Sequence, residues 1–354
     1  MPIKKSLSAI PLRAAIVAIA LLLVLFFSVL YYFSRRYFSS PVLNLHDDKF
    51  VYLYIPSGSD FDDVLSLLNL DGWLADEEAF STMAHLMHYD SSVKSGRYKL
   101  VESLSARALV SMLRSGMQEP VKVTFNNVRT LDRLAASVAR YLEVDSAEIA
   151  LVLSDSAVFS SLGFNRQTFP AMFLPDTYEM WWNMSPVSFA ERMKSEYDAF
   201  WNPERRAKAD SLGLSPVQVA VLASIIEEES NKIDEFPIIA RLYLNRLELG
   251  MNLQACPTLK FAIGDFSIRR ILAKDMDVES PYNTYKYPGL PPGPIRVPSK
   301  VAIDAVLSPA DCDYLFMCAR PDGSGRHNFA RTSAQHARNA SLYHQELNKK
   351  RIYR

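Results

Sequence analysis

The sequence predicts an α+β protein built as a single N-terminal transmembrane helix, a small α+β module and a larger α+β domain read as the catalytic one. Three observations predict this. An apolar run fills Ala14–Phe33, short alternating strands and capped amphipathic helices take turns from Lys49 onward, and a four-turn helix over Ser215–Asn231 ends in consecutive glutamates. The implied boundaries are 1–13 for a cytoplasmic tail, 14–33 for the span, 34–48 for a linker, 49–118 for the module and 119–354 for the catalytic domain.

The run AAIVAIALLLVLFFSVLYYF has Ser28 as its one clearly polar side chain, and about 20 such residues cross a bilayer as a helix. A cleaved signal peptide has a shorter apolar core and a small-residue cleavage site. Here Tyr31, Tyr32, Phe33 and Arg35 follow instead, so the reading is an uncleaved anchor. Lys4, Lys5 and Arg13 on one side nearly match Arg35 and Arg36 on the other, and the short tail is assigned to the inside with the bulk outside.

Ser39–Asp48 reads as a polar tether. Lys49–Ile55 alternates as a strand, Ser57–Asp60 opens a helix over Val64, Leu65, Leu67 and Leu68, and Glu77–His88 is helical. Gly96–Val101 is a second strand, and Ser103 caps a helix carrying Leu104, Ala108, Leu109 and Met112 up to Gly116. His85 and His88 share a helical face without a thiol or acidic ligand beside them, so they read as surface or packing residues rather than metal ligands.

A new strand, Val121–Phe125, starts the larger domain, and Thr130 caps a helix through Leu131, Leu134, Val138 and Tyr141. Glu143–Ser161 reads as helical. Phe169–Tyr178 carries the turn FLPDTY and leads to Trp181 and Trp182, aromatic residues more readily assigned to packing than to sugar stacking. Ile238–Leu249 is an amphipathic helix ended by Gly250. Gln254–Thr258 (QACPT) and Ser280–Gly293 (SPYNTYKYPGLPPG) read as loops, rigid and polar enough to line a groove. Tyr314–Ala319 is a strand leading into Asp322–Phe329, where His327 sits in a glycine-punctuated turn, and Thr332 with Gln335 caps the last helix.

The central helix is the sharpest feature. Ser215 is its N-cap, Pro216 takes the first helical position and Gln218 completes a capping box. At about 100° per residue, Val219, Leu222, Ile225 and Ile226 fall on one stripe, and Glu229 lies within it. Glu227 comes out nearly opposite and Glu228 on the flank, as expected of a solvated helix end. A carboxyl on an apolar stripe has its charged form disfavoured and its pKa raised, which suits a general acid working near neutral pH.

Composition narrows the alternatives. Lysine plus arginine and aspartate plus glutamate each number 39, without the basic excess of a nucleic-acid binder, and no nucleic-acid partner is expected. Cys256, Cys312 and Cys318 form neither a CxxC pair nor a Cys/His cluster, which argues against a zinc site or a disulfide scaffold, although one bridged pair plus a free thiol is compatible. There is no HExxH, P-loop or GxGxxG in the chain, so metal and nucleotide chemistry have no sequence support.

Taken together, ASIIEEES, QACPT, SPYNTYKYPGLPPGPI, FLPDTY and GRHNFARTSAQH resemble the endolytic murein transglycosylases of the YceG-like family, over roughly Phe50–Leu347. The resemblance implies a single-pass protein of the bacterial inner membrane, with a LysM-like module and a catalytic domain on the periplasmic or extracytoplasmic side. It implies peptidoglycan glycan strands as substrate, cell-wall synthases as candidate partners and a reaction that uses no cofactor. The family's catalytic glutamate falls on Glu229, while Glu227, Gln254, Tyr282, Asn283, Thr284 and His327 match polar positions of its groove. Many relatives read DPT where this chain has Cys256, Pro257 and Thr258, so no role of that aspartate carries over.

The implied reaction is non-hydrolytic cleavage of the MurNAc–GlcNAc bond to a 1,6-anhydro end. Its rivals are a two-carboxylate muramidase-type hydrolase, with Asp176, Asp265 or Glu227 as partner acid, and a non-catalytic anchored peptidoglycan-binding scaffold.

Overall fold

A computed structural model describes residues 12–46, 48–268 and 271–349. Lys4 and Lys5, on which the inside assignment of the tail rests, lie outside the described residues. The chain divides into two compact units, one formed by residues up to Val121 together with Trp181–Asn183, the other by Lys122–Met180 and Met184 onward.

The first unit opens with α1 (Leu12–Ser34), continued by a π-helical turn over Arg35–Ser39. Among the described residues this is the one unbroken helix long and apolar enough to cross a membrane, and none of its hydropathic window is buried. The rest of the unit is β1 (Val51–Ile55), α2 (Phe61–Leu70), α3 (Glu77–Leu86), β2 (Gly96–Leu100) and α4 (Ala106–Ser115). β1 and β2 pair antiparallel with Leu53 opposite Tyr98. Leu53 and Ile55 point inward onto Val64, Leu68, Phe80 and Leu109, following the period of two that sends alternate side chains to opposite faces. Asp60 builds a full capping box for α2.

Two expectations for this unit give way. Ser39–Asp48 is not a free tether, because Val42, Leu43 and Leu45 are buried in the unit's core and Pro41 and Leu43 form bridges to Ser105 and Leu74. Ser105, not Ser103, is the cap of α4, its hydroxyl accepting from the Ala108 amide, while Gly116 ends the helix at φ 74°. His85 does have an acidic neighbour, since its Nδ1 lies 2.9 Å from Asp90. His88 falls past the end of α3, so the two histidines do not share a helical face.

The second unit takes β3 (Val121–Phe125) from Lys122 onward and continues with α5 (Leu131–Val138), α6 (Ser146–Ser154), α7 (Ser156–Ser161), β4 (Asp176–Met180), α8 (Pro186–Phe200), α9 (Pro203–Ser211) and α10 (Pro216–Glu229). α11 (Phe236–Glu248), α12 (Cys256–Ile263), α13 (Lys300–Leu307), the hairpin β5 (Phe316–Ala319) and β6 (His327–Ala330), and α14 (Ser333–Lys349) complete it. β3 pairs with β4, and β5 with β6 in antiparallel register. The single helix expected over Glu143–Ser161 is two, because Asp155 takes an extended conformation and caps α7 with its side chain. QACPT is not all loop, since Cys256–Ile263 is helical with proline in its first turn, where the missing N–H costs nothing.

α10 organises this unit. The capping box of Ser215 and Gln218 and Pro216 in the first turn are as the sequence predicts. The helix is buried all round from Val219 to Ile226, not striped. Ala220 and Ser224, on the Glu227 side opposite the predicted stripe, are buried, and Ser224 Oγ accepts the Ile295 amide at 3.0 Å. An α-helix enclosed on every side needs an apolar sequence on every side, which the run VAVLASII supplies. Each fully buried Leu or Ile here contributes about 1.5–3 kcal/mol relative to exposure.

Candidate active site

The three glutamates at the end of α10 have three different fates. Glu228 is held in a bidentate pair by Arg129, at 3.0 and 2.6 Å, and by Arg296 at 3.0 Å. Glu227 accepts the amide of Ser299, the N-cap of α13, at 2.8 Å and lies 3.7 Å from Arg296. Neither is a solvated helix end. Both tie α10 to segments far away in sequence, and Arg296, itself buried, is the common partner.

Glu229 is different. Its Oε1 accepts from Tyr243 Oη at 2.8 Å, and no cation among the described residues is paired with it. The residue is surrounded by protein yet keeps part of its surface accessible. Burial pushes its pKa up. The Tyr243 hydrogen bond and the charges of His327 and Lys260 pull the other way, and Glu228 adds to the rise. Its position as the last residue of α10 acts in the same sense as burial, because the negative end of the helix dipole disfavours a carboxylate. Tyr243 has its own pKa driven well above the ordinary phenol value by burial and by Glu229, so it remains a hydroxyl donor. One carboxyl oxygen is thereby oriented, and the other is left for a proton.

Around this pair lie three further groups. Cys256 Sγ is 3.1 Å from Tyr285 Oη, and burial followed by the Glu229 charge pushes the thiol up, so Cys256 is a neutral group. All three cysteines are free. Arg246, from α11, spends its guanidinium on the carbonyls of Leu315, Asn252 and Leu253 and reaches Gln254 Oε1 at 3.3 Å. Gln254 is exposed and sits at φ 51°, the left-handed region that L-residues seldom adopt.

The residues expected to line the groove separate. Gln254 is exposed and Tyr282 half-buried, with its ring 4.6 Å from that of Phe261. Asn283 and Thr284 are buried and bonded to segments flanking the loop. Asn283 donates to the Met276 and Val278 carbonyls, while Thr284 Oγ1 accepts the Ala255 amide and meets Thr258 Oγ1 at 2.8 Å. They hold the SPYNTY loop against the start of α12. His327 is buried, its Nδ1 2.9 Å from Glu235. Tyr243 and Glu235 went unnoticed in the sequence, because a tyrosine on an amphipathic helix reads as core and an acid in the run IDEF reads as surface. No group of three or more His, Cys, Asp or Glu side chains suited to a metal occurs among the described residues.

The arrangement is a largely buried acid with a raised pKa, held by a neutral hydroxyl donor. Comparison with known proteins agrees with the motifs. A crystal structure of a YceG-like protein from Listeria monocytogenes superposes with a TM-score of 0.54 at 25% identity, covering 82% of this chain and 99% of that one. A Bacillus subtilis protein named endolytic murein transglycosylase is 27% identical over 85% of this chain and 86% of its own length. A Streptococcus pneumoniae protein of the same name is 27% identical over 88% of this chain, which spans 62% of that longer relative. The model of the YceG-like family matches residues 53–341, and the chain belongs to that family.

Proposed function

We infer that the protein is a membrane-anchored lytic transglycosylase that cuts peptidoglycan glycan strands internally at the MurNAc–GlcNAc bond. Glu229 protonates the leaving glycosidic oxygen. Its carboxylate then takes the proton from the muramyl C6 hydroxyl as O6 attacks C1, so a 1,6-anhydro end forms without water. α1 anchors the chain in the inner membrane, the second unit works on the extracytoplasmic side, and the first unit, LysM-like in the expectation from sequence, holds the strand. Trimming or termination of new strands alongside cell-wall synthases fits such an anchored cutter.

The observation that carries this reading is that Glu229 is bonded to the neutral Tyr243 hydroxyl and, among the described residues, is paired with no cation. Glu227 serves Ser299 and Arg296, Glu228 serves two arginines, Glu235 serves His327, and Asp176 is paired with Lys300. A hydrolase needs a second carboxylate about 5–9.5 Å away as nucleophile or base. The C6 hydroxyl, by contrast, is tethered to the reacting ring and gains from intramolecular proximity.

Digestion of sacculi in ¹⁸O-labelled water tests it. The expected product is unlabelled anhydro-muramyl ends. Labelled reducing muramyl ends would replace the reading with the two-carboxylate hydrolase, and absence of any cleavage would leave the binding scaffold.

A further inference from the structure

Glu235 is a buried carboxylate that the reaction above leaves unused. It closes the 3₁₀ turn Ile233–Glu235, is 3% exposed, and has both oxygens engaged. Oε1 accepts the backbone amide of His327 at 3.0 Å, and Oε2 accepts from His327 Nδ1 at 2.9 Å and from Ser230 Oγ at 3.0 Å. Burial opposes its ionisation, yet the His327 amide, the His327 ring and the Ser230 hydroxyl outweigh burial and hold the carboxyl below its ordinary range.

An ionised carboxylate can only accept, so the ring proton of neutral His327 has to sit on Nδ1. Nε2 then carries a lone pair and has no hydrogen-bond partner among the described residues. The ring belongs to the surroundings of Glu229. Ser230, which bonds Glu235, is the residue directly after Glu229, and the His327 ring lies close enough that its protonated form would act electrostatically on the Glu229 carboxyl. The other charged groups about the pair are already occupied. Arg326 binds Asp234 at 2.7 Å and comes only to 4.0 Å from Glu235, and Arg320 Nε donates to the His327 carbonyl at 3.1 Å.

We propose that Glu235 is a positioning residue that locks His327 in the Nδ1–H tautomer, so that Nε2 accepts a hydrogen bond from a hydroxyl or acetamido N–H of the glycan beside Glu229. This rests on the lytic transglycosylase reading for the identity of the ligand. The dyad makes and breaks no covalent bond, and Glu229 keeps both proton transfers.

Imidazole ¹⁵N–¹H correlation spectra of the ¹⁵N-labelled full chain, without substrate, test the tautomer directly. Wild-type His327 is expected to show a protonated Nδ1 and an unprotonated Nε2, and E235Q to mix the tautomers, since an amide both donates and accepts. On glycan strands E235Q and H327F are each expected to raise KM about three- to tenfold with kcat within about twofold, the size of one net hydrogen bond made equally in ground and transition states. The double variant should be no worse than H327F alone, because Glu235 acts only through that ring. A wild-type Nε2–H tautomer overturns the proposal whether or not E235Q folds, and so does a further loss on adding E235Q to H327F. Because the spectrum needs no substrate, it stands apart from the ¹⁸O result, and the two readings can fail separately.

Discussion

Tyr243 donates its hydroxyl hydrogen to Oε1 of Glu229 across 2.8 Å, and this bond fastens the end of α10 to the middle of α11. It stabilises the carboxylate and so lowers a pKa that burial raises. Tyr243→Phe should therefore move the Glu229 pKa further up. A general acid works while protonated, so activity is lost as pH rises through that pKa, and the alkaline limb of the pH–rate profile should shift to higher pH in the variant. At the optimum, loss of the orienting bond should lower kcat/KM by about tenfold. An alkaline limb unmoved, or moved to lower pH, would show that Glu229 is not the group titrating there.

Glu229→Gln keeps the volume and removes the proton, and cleavage should fall by about 10²–10⁴-fold or more. Its stability should also change with pH in a defined sense. The folded-state pKa lies above the unfolded one, so on raising pH the unfolded chain releases this proton first, and stability is lost between the ordinary carboxyl value and the raised one. The amide has no such loss, so Glu229→Gln should flatten the fall in urea midpoint above the ordinary carboxyl range. Equal pH dependence in both proteins would contradict the raised pKa.

The helical period placed Glu229 with the apolar residues, and the structure does enclose it, although α10 is buried on every side from Val219 to Ile226 and has no stripe. The same argument misplaced its neighbours. Glu227 and Glu228 look solvated by period, yet their partners Arg129, Arg296 and Ser299 lie 68 to 99 residues away in sequence, where no local pattern reaches. Glu235 escaped for the same reason, since what buries it is the β5–β6 hairpin bringing His327 across 92 residues. The loop reading of SPYNTY was sound in kind, but Asn283 and Thr284 turned inward to bond the preceding segment and the start of α12. A sequence rich in Asn and Thr does not distinguish a loop that binds a ligand from one that binds itself.

Arg296 joins the network as its buried cation, bonded to Glu228 and to Asn127 at 2.6 Å. Arg296→Met strands the Glu228 carboxylate with Arg129 alone, and breaking a buried pair from one side costs about 3–5 kcal/mol. The more exposed Arg129 should matter less, at about 1 kcal/mol for Arg129→Met. Chemical denaturation of both variants checks the order. A reversed order would mean that the Arg129 bridge is the one holding Glu228.

Glu227→Gln retains an oxygen for the Ser299 amide, so the structural bond survives and activity should stay within a few-fold of wild type. Glu227→Ala leaves that amide at the start of α13 without its acceptor and should cost about 1–3 kcal/mol. If Glu227→Gln were as inactive as Glu229→Gln while remaining folded, Glu227 would have to be promoted to a second catalytic acid and the hydrolase reading with it.

Gln254 combines an unfavourable backbone with an exposed side chain, a pairing that strain at a working residue would explain. At φ 51° it occupies a region that costs an L-residue about 1–2 kcal/mol and costs glycine almost nothing. Gln254→Gly loses some of that gain to the greater freedom of glycine in the unfolded chain, about 0.5–1 kcal/mol. The net expectation is a protein about 0.5–1 kcal/mol more stable, with Arg246 still held by the Asn252 and Leu253 carbonyls at 2.9 Å. If the side chain meets the glycan, the same variant should lose about three- to tenfold in kcat/KM. A denaturation curve and a kinetic assay on one preparation read both quantities. Higher stability with unchanged kinetics would remove Gln254 from the substrate path, and lower stability would show that the strained turn is held by more than its backbone.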